Sequence, residues 1–283
     1  MKKNIVEVEY FINNSQYKAF NKNEFERIIT QIKSIYGFKT LERKKIIDFL
    51  IKSDLIIKES SSGNNEEIFD IYYSPQKKID LFDIAATRSR SAYFSHYSAL
   101  FIHNLTLQIP KQIYLTNERI TLHDHNNRLT QESIDNTFNK EPRITSNKRS
   151  FKNNIINLIN GQCHNYIGII EFHDNLKVSD IERTLIDVVT RPFYSGGVTQ
   201  VLEAFVNAKD LIDIDKFYNY YKKMDFIYPY HQAIGFYLEK AGYENKCITP
   251  FLKIKQEFKF YLTYNMKNKE YSKRWNLFYP KGL

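Results

Sequence analysis

Cysteine is scarce: Cys163 and Cys247 are the only two in the chain. So few thiols, so far apart, exclude a disulfide framework and a CxxC zinc site, and both read as ordinary buried thiols of a reducing compartment. Long apolar runs are also missing. No stretch approaches the ~18 consecutive apolar residues of a membrane-spanning helix. Met1 to Tyr10 sets Lys2 and Lys3 beside Glu7 and Glu9, where a secretory signal needs an apolar segment. The cytosol is the expected location. No P-loop, Gly-x-Ser-x-Gly or Cys/His nucleophile pattern occurs.

What is present suits a globular protein. With 283 residues, 42% hydrophobic and 26% charged, the chain has room for two ordinary domains. Part of the Lys, Asn and Ile excess is ascribed to coding bias, but the net charge of +9 survives that discount and points to a polyanionic partner, nucleic acid first.

From Asn23 to Tyr36 the apolar residues Phe25, Ile28, Ile29, Ile32 and Ile35 recur at three and four, which predicts an amphipathic helix ended by Gly37. Thr40 is the expected N-cap of a second helix reaching Ser53, with Ile46, Ile47, Leu50 and Ile51 as its apolar stripe and Lys45 and Lys52 facing away. Leu55-Ile56-Ile57, a polar loop with Gly63 and Asn64, and Ile68 to Tyr73 then read as a β-hairpin. Helix, turn, helix, hairpin is the order of a winged helix, whose second helix enters the major groove. Residues 1–75 carry twelve Lys/Arg against eleven Asp/Glu, but residues 33–58 carry seven against three. The charge is therefore a stripe on the expected reading helix, and the candidate DNA-binding residues are Lys39, Thr40, Arg43, Lys44, Lys45, Lys52 and Lys58. A solvated helix face is the plainer alternative.

Ser74-Pro75 marks the expected boundary between residues 1–75 and 76–283. Beyond it the sequence predicts a helix over Leu81 to Leu105, a strand at Ile113 to Leu115, an aperiodic polar segment over residues 120–150, strands around Tyr166 to Phe172 and Leu176 to Val178, and four helices after Ser179. Ser179 and Glu182 form an S/T-x-x-E capping box, while Arg183 and Asp187 are spaced for an i,i+4 pair, so all three charges have structural explanations. Residues 246–283 interleave nine Lys/Arg with aromatics such as Phe260, Tyr261 and Trp275; strand-like alternation favours a core face over nucleic-acid stacking. The fold class expected is α+β, an N-terminal winged helix-turn-helix domain followed by a larger mixed α/β C-terminal domain.

Two stretches carry a family likeness. Tyr93-Phe94-Ser95-His96-Tyr97-Ser98-Ala99-Leu100, with His103-Asn104-Leu105-Thr106, Ile109-Pro110 and Ile113-Tyr114-Leu115, resembles a segment of the AbiEi antitoxins of abortive-infection toxin–antitoxin pairs, with Asn104 where that family usually has Gly. Val178 to Asp187, then Arg191-Pro192 and Gly196-Gly197-Val198, is similar to the same family's Glu-Arg-Thr-Leu-Ile-Asp helix and Gly-Gly turn. The resemblance covers about residues 93–205. It implies a type IV antitoxin and autorepressor active in phage defence, binding inverted repeats of double-stranded DNA at its own promoter. It also implies counteraction of a nucleotidyltransferase-like toxin without need of a stable complex. No catalytic activity, cofactor, metal or membrane partner is expected.

The competing class is a metal-dependent DNA-processing enzyme with a winged-helix targeting domain. It needs clustered carboxylates. Glu171, His173 and Asp174, and the group His123-Asp124-His125, are the nearest approach, but neither matches a specific ligand spacing.

Overall fold

The computed structural model describes residues 5–37, 40–63, 67–120, 129–173 and 175–283. The first part runs α1 (Ile5–Asn13), β1 (Ala19–Asn21), α2 (Lys22–Ile35), α3 (Arg43–Lys52), β2 (Ile57–Gly63) and β3 (Ile68–Tyr73). At the start of α2, Asn21 Oδ1 accepts from the Glu24 amide and Glu24 Oε2 accepts from the Asn21 amide, both at 3.0 Å, a reciprocal box that satisfies two orphan donors. The apolar period brings Phe25, Ile29 and Ile32 together with Ile46 and Leu50 of α3, while Ile35 stays exposed beyond this core. Tyr72 of β3 closes it from the sheet side, stacked on Phe25 at 4.3 Å.

The chain continues through α4 (Leu81–Ala86), β4 (Tyr93–Phe94), α5 (His96–Ile102), β5 (Gln112–Glu118), α6 (Gln131–Phe138), β6 (Lys148–Phe151), β7 (Asn154–Gly161), β8 (Ile169–Phe172), β9 (Leu176–Ser179) and α7 (Ile181–Thr190). It ends with α8 (Val198–Asn207), α9 (Ile214–Met224), α10 (Tyr230–Lys240), α11 (Asn245–Leu252), β10 (Phe260–Tyr261), β11 (Lys269–Ser272) and β12 (Leu277–Pro280). The helix expected over Leu81 to Leu105 is in fact two helices with a strand between them. After α4, Arg90 turns out to Glu24 (Nε–Oε1 2.7 Å) and stacks over Tyr17, and β4 pairs with β5 and β9. The break lies at the polar run Thr87 to Ser91, which interrupts the apolar pattern. The polar segment contains α6, whose Ile134 and Phe138 are buried, and β6.

A nine-stranded sheet, in the order β1-β3-β2-β6-β7-β5-β4-β9-β8, spans both parts of the fold, which is mixed α/β. β2 joins β6 through Ser62 opposite Ser150 and Gly63 opposite Arg149, so hydrogen bonding runs across the Ser74-Pro75 position. The alternation of β3 serves two cores: Tyr72 faces the α2–α3 layer, and Ile71 and Tyr73 pack with Ile84, Phe94, Ile113 and Val178.

The third core is largely helical and surrounds α7, eight of whose ten residues are buried. The C-terminal aromatic segment belongs to it. Phe260, Trp275 and Leu277 are fully enclosed, and the Trp275 ring lies so close to Gly235 that a Cβ there would meet it at 2.1 Å. Cys163 and Cys247 are half-buried rather than buried. Among the described residues no helix is long and apolar enough to cross a membrane.

Candidate functional site

Burial of Ile46 and Leu50, each 1% exposed, fixes the roll of α3 and turns Arg43, Lys44, Lys45 and Lys52 to solvent. Arg43 lies 4.0 Å from Glu26 and Lys45 lies 3.9 Å from Glu42, both loose surface pairs. No ion pair involves Lys44 or Lys52 among the described residues. Lys58 is instead committed within the hairpin, its Nζ 2.9 Å from Asp70 Oδ2. Lys39 lies outside the described residues. Thr40 is exposed and is not the cap: α3 begins three residues later, and Glu42, extended at ψ 140°, holds the N-cap position without a side-chain cap bond. The chain needs those extra residues because Leu41 packs against the first core before the helix starts. The first amides of α3 therefore keep their outward donors, the polarity that suits an anion.

The second family-like stretch builds a buried ionic hub. Asp180, not Ser179, caps α7, accepting from the Arg183 amide at 2.9 Å. Ser179 Oγ is occupied at 2.8 Å by Thr184 Oγ1, so the expected capping box does not form. Glu182 reaches away from its own helix to the Asp213 amide (2.9 Å) and Lys216 Nζ (2.8 Å), fastening α7 to α9. Arg183, 2% exposed, makes the expected pair with Asp187 (Nε–Oδ1 2.9 Å), and also donates to Tyr93 Oη (2.8 Å), Glu118 Oε1 (3.1 Å) and the Ile167 carbonyl (2.8 Å). Glu118 Oε2 accepts from the amides of His164 (2.7 Å) and Tyr166 (3.0 Å). Asp187 Oδ2 has no partner. Burial raises the Asp187 carboxyl above its ordinary value against the pull of Arg183.

The first family-like stretch packs beside the hub and lends Tyr93 and His96 to its edge. Asn104 adopts φ +57°, the left-handed conformation that a Gly takes most easily and Asn tolerates, as the chain leaves α5. His103 Nε2 lies 2.6 Å from the Ser179 carbonyl, tying α5 to the end of β9. His96 is buried with φ +52°; its Nδ1 is 2.9 Å from Ser95 Oγ, which meets Thr116 Oγ1 at 2.7 Å. Burial, with Arg191 and Arg183 nearby, holds the His96 imidazole well below its ordinary value and hence neutral.

Beside the hub opens a cleft of about 870 Å³, lined by Tyr93, His96, Arg119, Arg183 and Arg191 and, from α6 onward, by residues between Asn136 and Asn147. Sequence reasoning misses it because its lining is drawn from residues 93 to 264, with no local spacing to betray it. Of the metal candidates, only Glu171 and His173 fall among the described residues. Glu171 and His173 are exposed on and beside β8, Asp174 and His123-Asp124-His125 lie outside the described residues, and no group of three His, Cys, Asp or Glu side chains suited to a metal occurs among the described residues.

No protein-family model and no curated protein matches the chain. A solved structure is similar in fold: the crystal structure of the RV2827C protein from Mycobacterium tuberculosis, at TM-score 0.59 and 9% sequence identity, covering 99% of this chain and 92% of that one. At that identity the likeness concerns the fold alone, and it extends through both parts of the chain.

Proposed function

We propose that this chain is a DNA-binding transcriptional regulator, an antitoxin of the AbiEi kind that represses its own promoter. The reading treats α1 to β3 as a winged helix-turn-helix: α2 and α3 pack against each other, β2 and β3 form the wing, and β1 adds beside β3. The observation that carries it is the face of α3. Its apolar residues are committed to the core, while Lys44 and Lys52 are exposed and free of ion pairs among the described residues. The uncapped first turn adds backbone donors at the same end as Arg43 and Lys44, a combination suited to phosphate oxygens. Lys58 pairs with Asp70 inside the hairpin and, with its side chain 41% exposed, stays among the proposed DNA contacts as a residue of the wing.

The toxin-directed half of the reading rests on the two family-like stretches, the second of which forms the buried hub, while the first leaves Ile109 exposed beside Leu107. A gel-shift titration with the upstream region of its own gene tests the DNA half. Lys44→Glu with Lys52→Glu is expected to abolish binding while leaving the circular dichroism spectrum intact. Unchanged affinity would remove α3 from the interface. Loss of toxin protection on deleting the cognate promoter but not on these substitutions would separate repression from neutralisation.

A further inference from the structure

We infer that the cleft between α6, α7 and the sheet is a binding site for a small phosphate ester of nucleotide type, separate from the α3 face and independent of whether that face reads DNA. Its lining holds five cationic side chains against two carboxylates. The buried Arg183 is neutralised by Asp187 and Glu118, while Glu141 accepts from Asn265 and keeps its single negative charge. Arg119, Lys140, Arg143 and Arg191 remain, with no ion pair or side-chain hydrogen bond among the described residues. These four cations outweigh the one remaining carboxylate around the concavity, and an anion with several oxygens offsets that excess through charge-assisted bonds.

Arg191 is the central one. It leaves the end of α7 just before Pro192, and its charge acts on His96, His164, Tyr230 and Tyr264, which surround the cleft. The same cleft offers the rings of Tyr194, Tyr228 and Tyr264 to a planar group. Asp187 Oδ2, in a side chain nine-tenths buried at the cleft, has no donor, so a ligand hydroxyl or amine fills an open acceptor. Cations, ring faces and an open acceptor around one cleft describe a nucleotide better than inorganic phosphate. The volume of about 870 Å³ accommodates one. The strained backbone at His96, φ +52° in a buried residue, is held in the wall of this cleft, where such strain often accompanies ligand recognition.

The test is isothermal titration of the full chain with ADP, pyrophosphate and adenosine, paired with thermal shift. Binding in the order ADP, pyrophosphate, adenosine is expected, weakening with added salt. Arg191→Met is expected to lower ADP affinity by about tenfold or more, the worth of one charge-assisted bond. Arg119→Ser, at an exposed position, repeats the test should Arg191→Met disturb the fold. Lys44→Glu should leave ADP binding unchanged, which separates this site from the DNA face. Absence of heat and thermal shift with both ADP and pyrophosphate overturns the proposal. So does ADP binding that neither arginine substitution weakens, or competition won only by single-stranded oligonucleotides.

Discussion

Replacing Arg183 by Met breaks at once its hydrogen bonds to Asp187, Glu118, Tyr93 and the Ile167 carbonyl. Met retains much of the aliphatic stem, so the change tests charge more than volume. Glu118 keeps the amides of His164 and Tyr166, which limits its share of the damage. Asp187 keeps nothing comparable on its side chain, and most of the cost falls there. Breaking a buried pair from one side costs about 3–5 kcal/mol. At roughly 2–4 °C per kcal/mol for a chain of this size, the melting temperature should fall by roughly 6–20 °C. The sign of the pH dependence follows from Asp187. Its carboxyl already lies above 3.8 through burial, opposed by Arg183, and rises further once Arg183 is gone. A carboxyl raised in the folded state contributes stability while protonated and loses it as pH climbs through that raised value. The gap between Arg183→Met and the parent is therefore widest near neutrality and narrows on acidification. Thermal unfolding followed by circular dichroism at pH 7 and pH 5 measures both. A fall of less than about 2 °C at neutral pH, or a gap that ignores pH, would refute the hub as the fastening between α7 and the sheet.

Removing Lys44 and Lys52 together should make the log–log salt dependence of DNA binding shallower by about 0.9 for each phosphate left without its lysine; a parallel line at weaker affinity would mean that neither touches phosphate. Gly235→Ala drives a methyl into the ring of Trp275, the chain's single tryptophan, and should cost about 1–3 kcal/mol with a red-shifted emission. An unchanged spectrum and melting temperature would show that the ring moves aside freely. Burial depresses His231 from 6.5 to about 4, so the stability it contributes is complete above 6.5 and drains away as pH falls toward 4. His231→Gln should flatten the acid side of the melting-temperature profile, and an identical acid decline in both proteins would assign it to other groups.

The helical period identifies α2, α3 and α7 because each buries one or more continuous stripes, as Phe25, Ile29 and Ile32 do. Ends are harder to place. Thr40 and Ser179 are good caps by type, yet Glu42 and Asp180 hold the positions, since packing of Leu41 and the Ser179–Thr184 bond decide where each helix begins. The break between α4 and α5 falls at the polar run Thr87-Arg88-Ser89-Arg90-Ser91, a signal outweighed in the single-helix reading by the apolar residues on either side, and Arg90 reaching Glu24 and β4 pairing with β9 fix it. β7 escapes notice because its sequence, NIINLING, mixes Asn with Ile in a strand paired on both sides. α11 carries Pro250 and so argues against itself. The basic face of α3 is legible from local charge, whereas the cleft is assembled across the chain and leaves no local trace.

Two residue pairs, Ser62 with Ser150 and Gly63 with Arg149, join the hairpin beside α3 to the strands that floor the cleft. For a chain docked through α3, the cleft then keeps a fixed bearing around the double helix, as a flag keeps its angle to the mast. On an inverted repeat, each base pair added between half-sites swings one copy by about a tenth of a turn relative to the other. Spacer length becomes an angular dial that decides whether the two clefts look the same way or opposite ways.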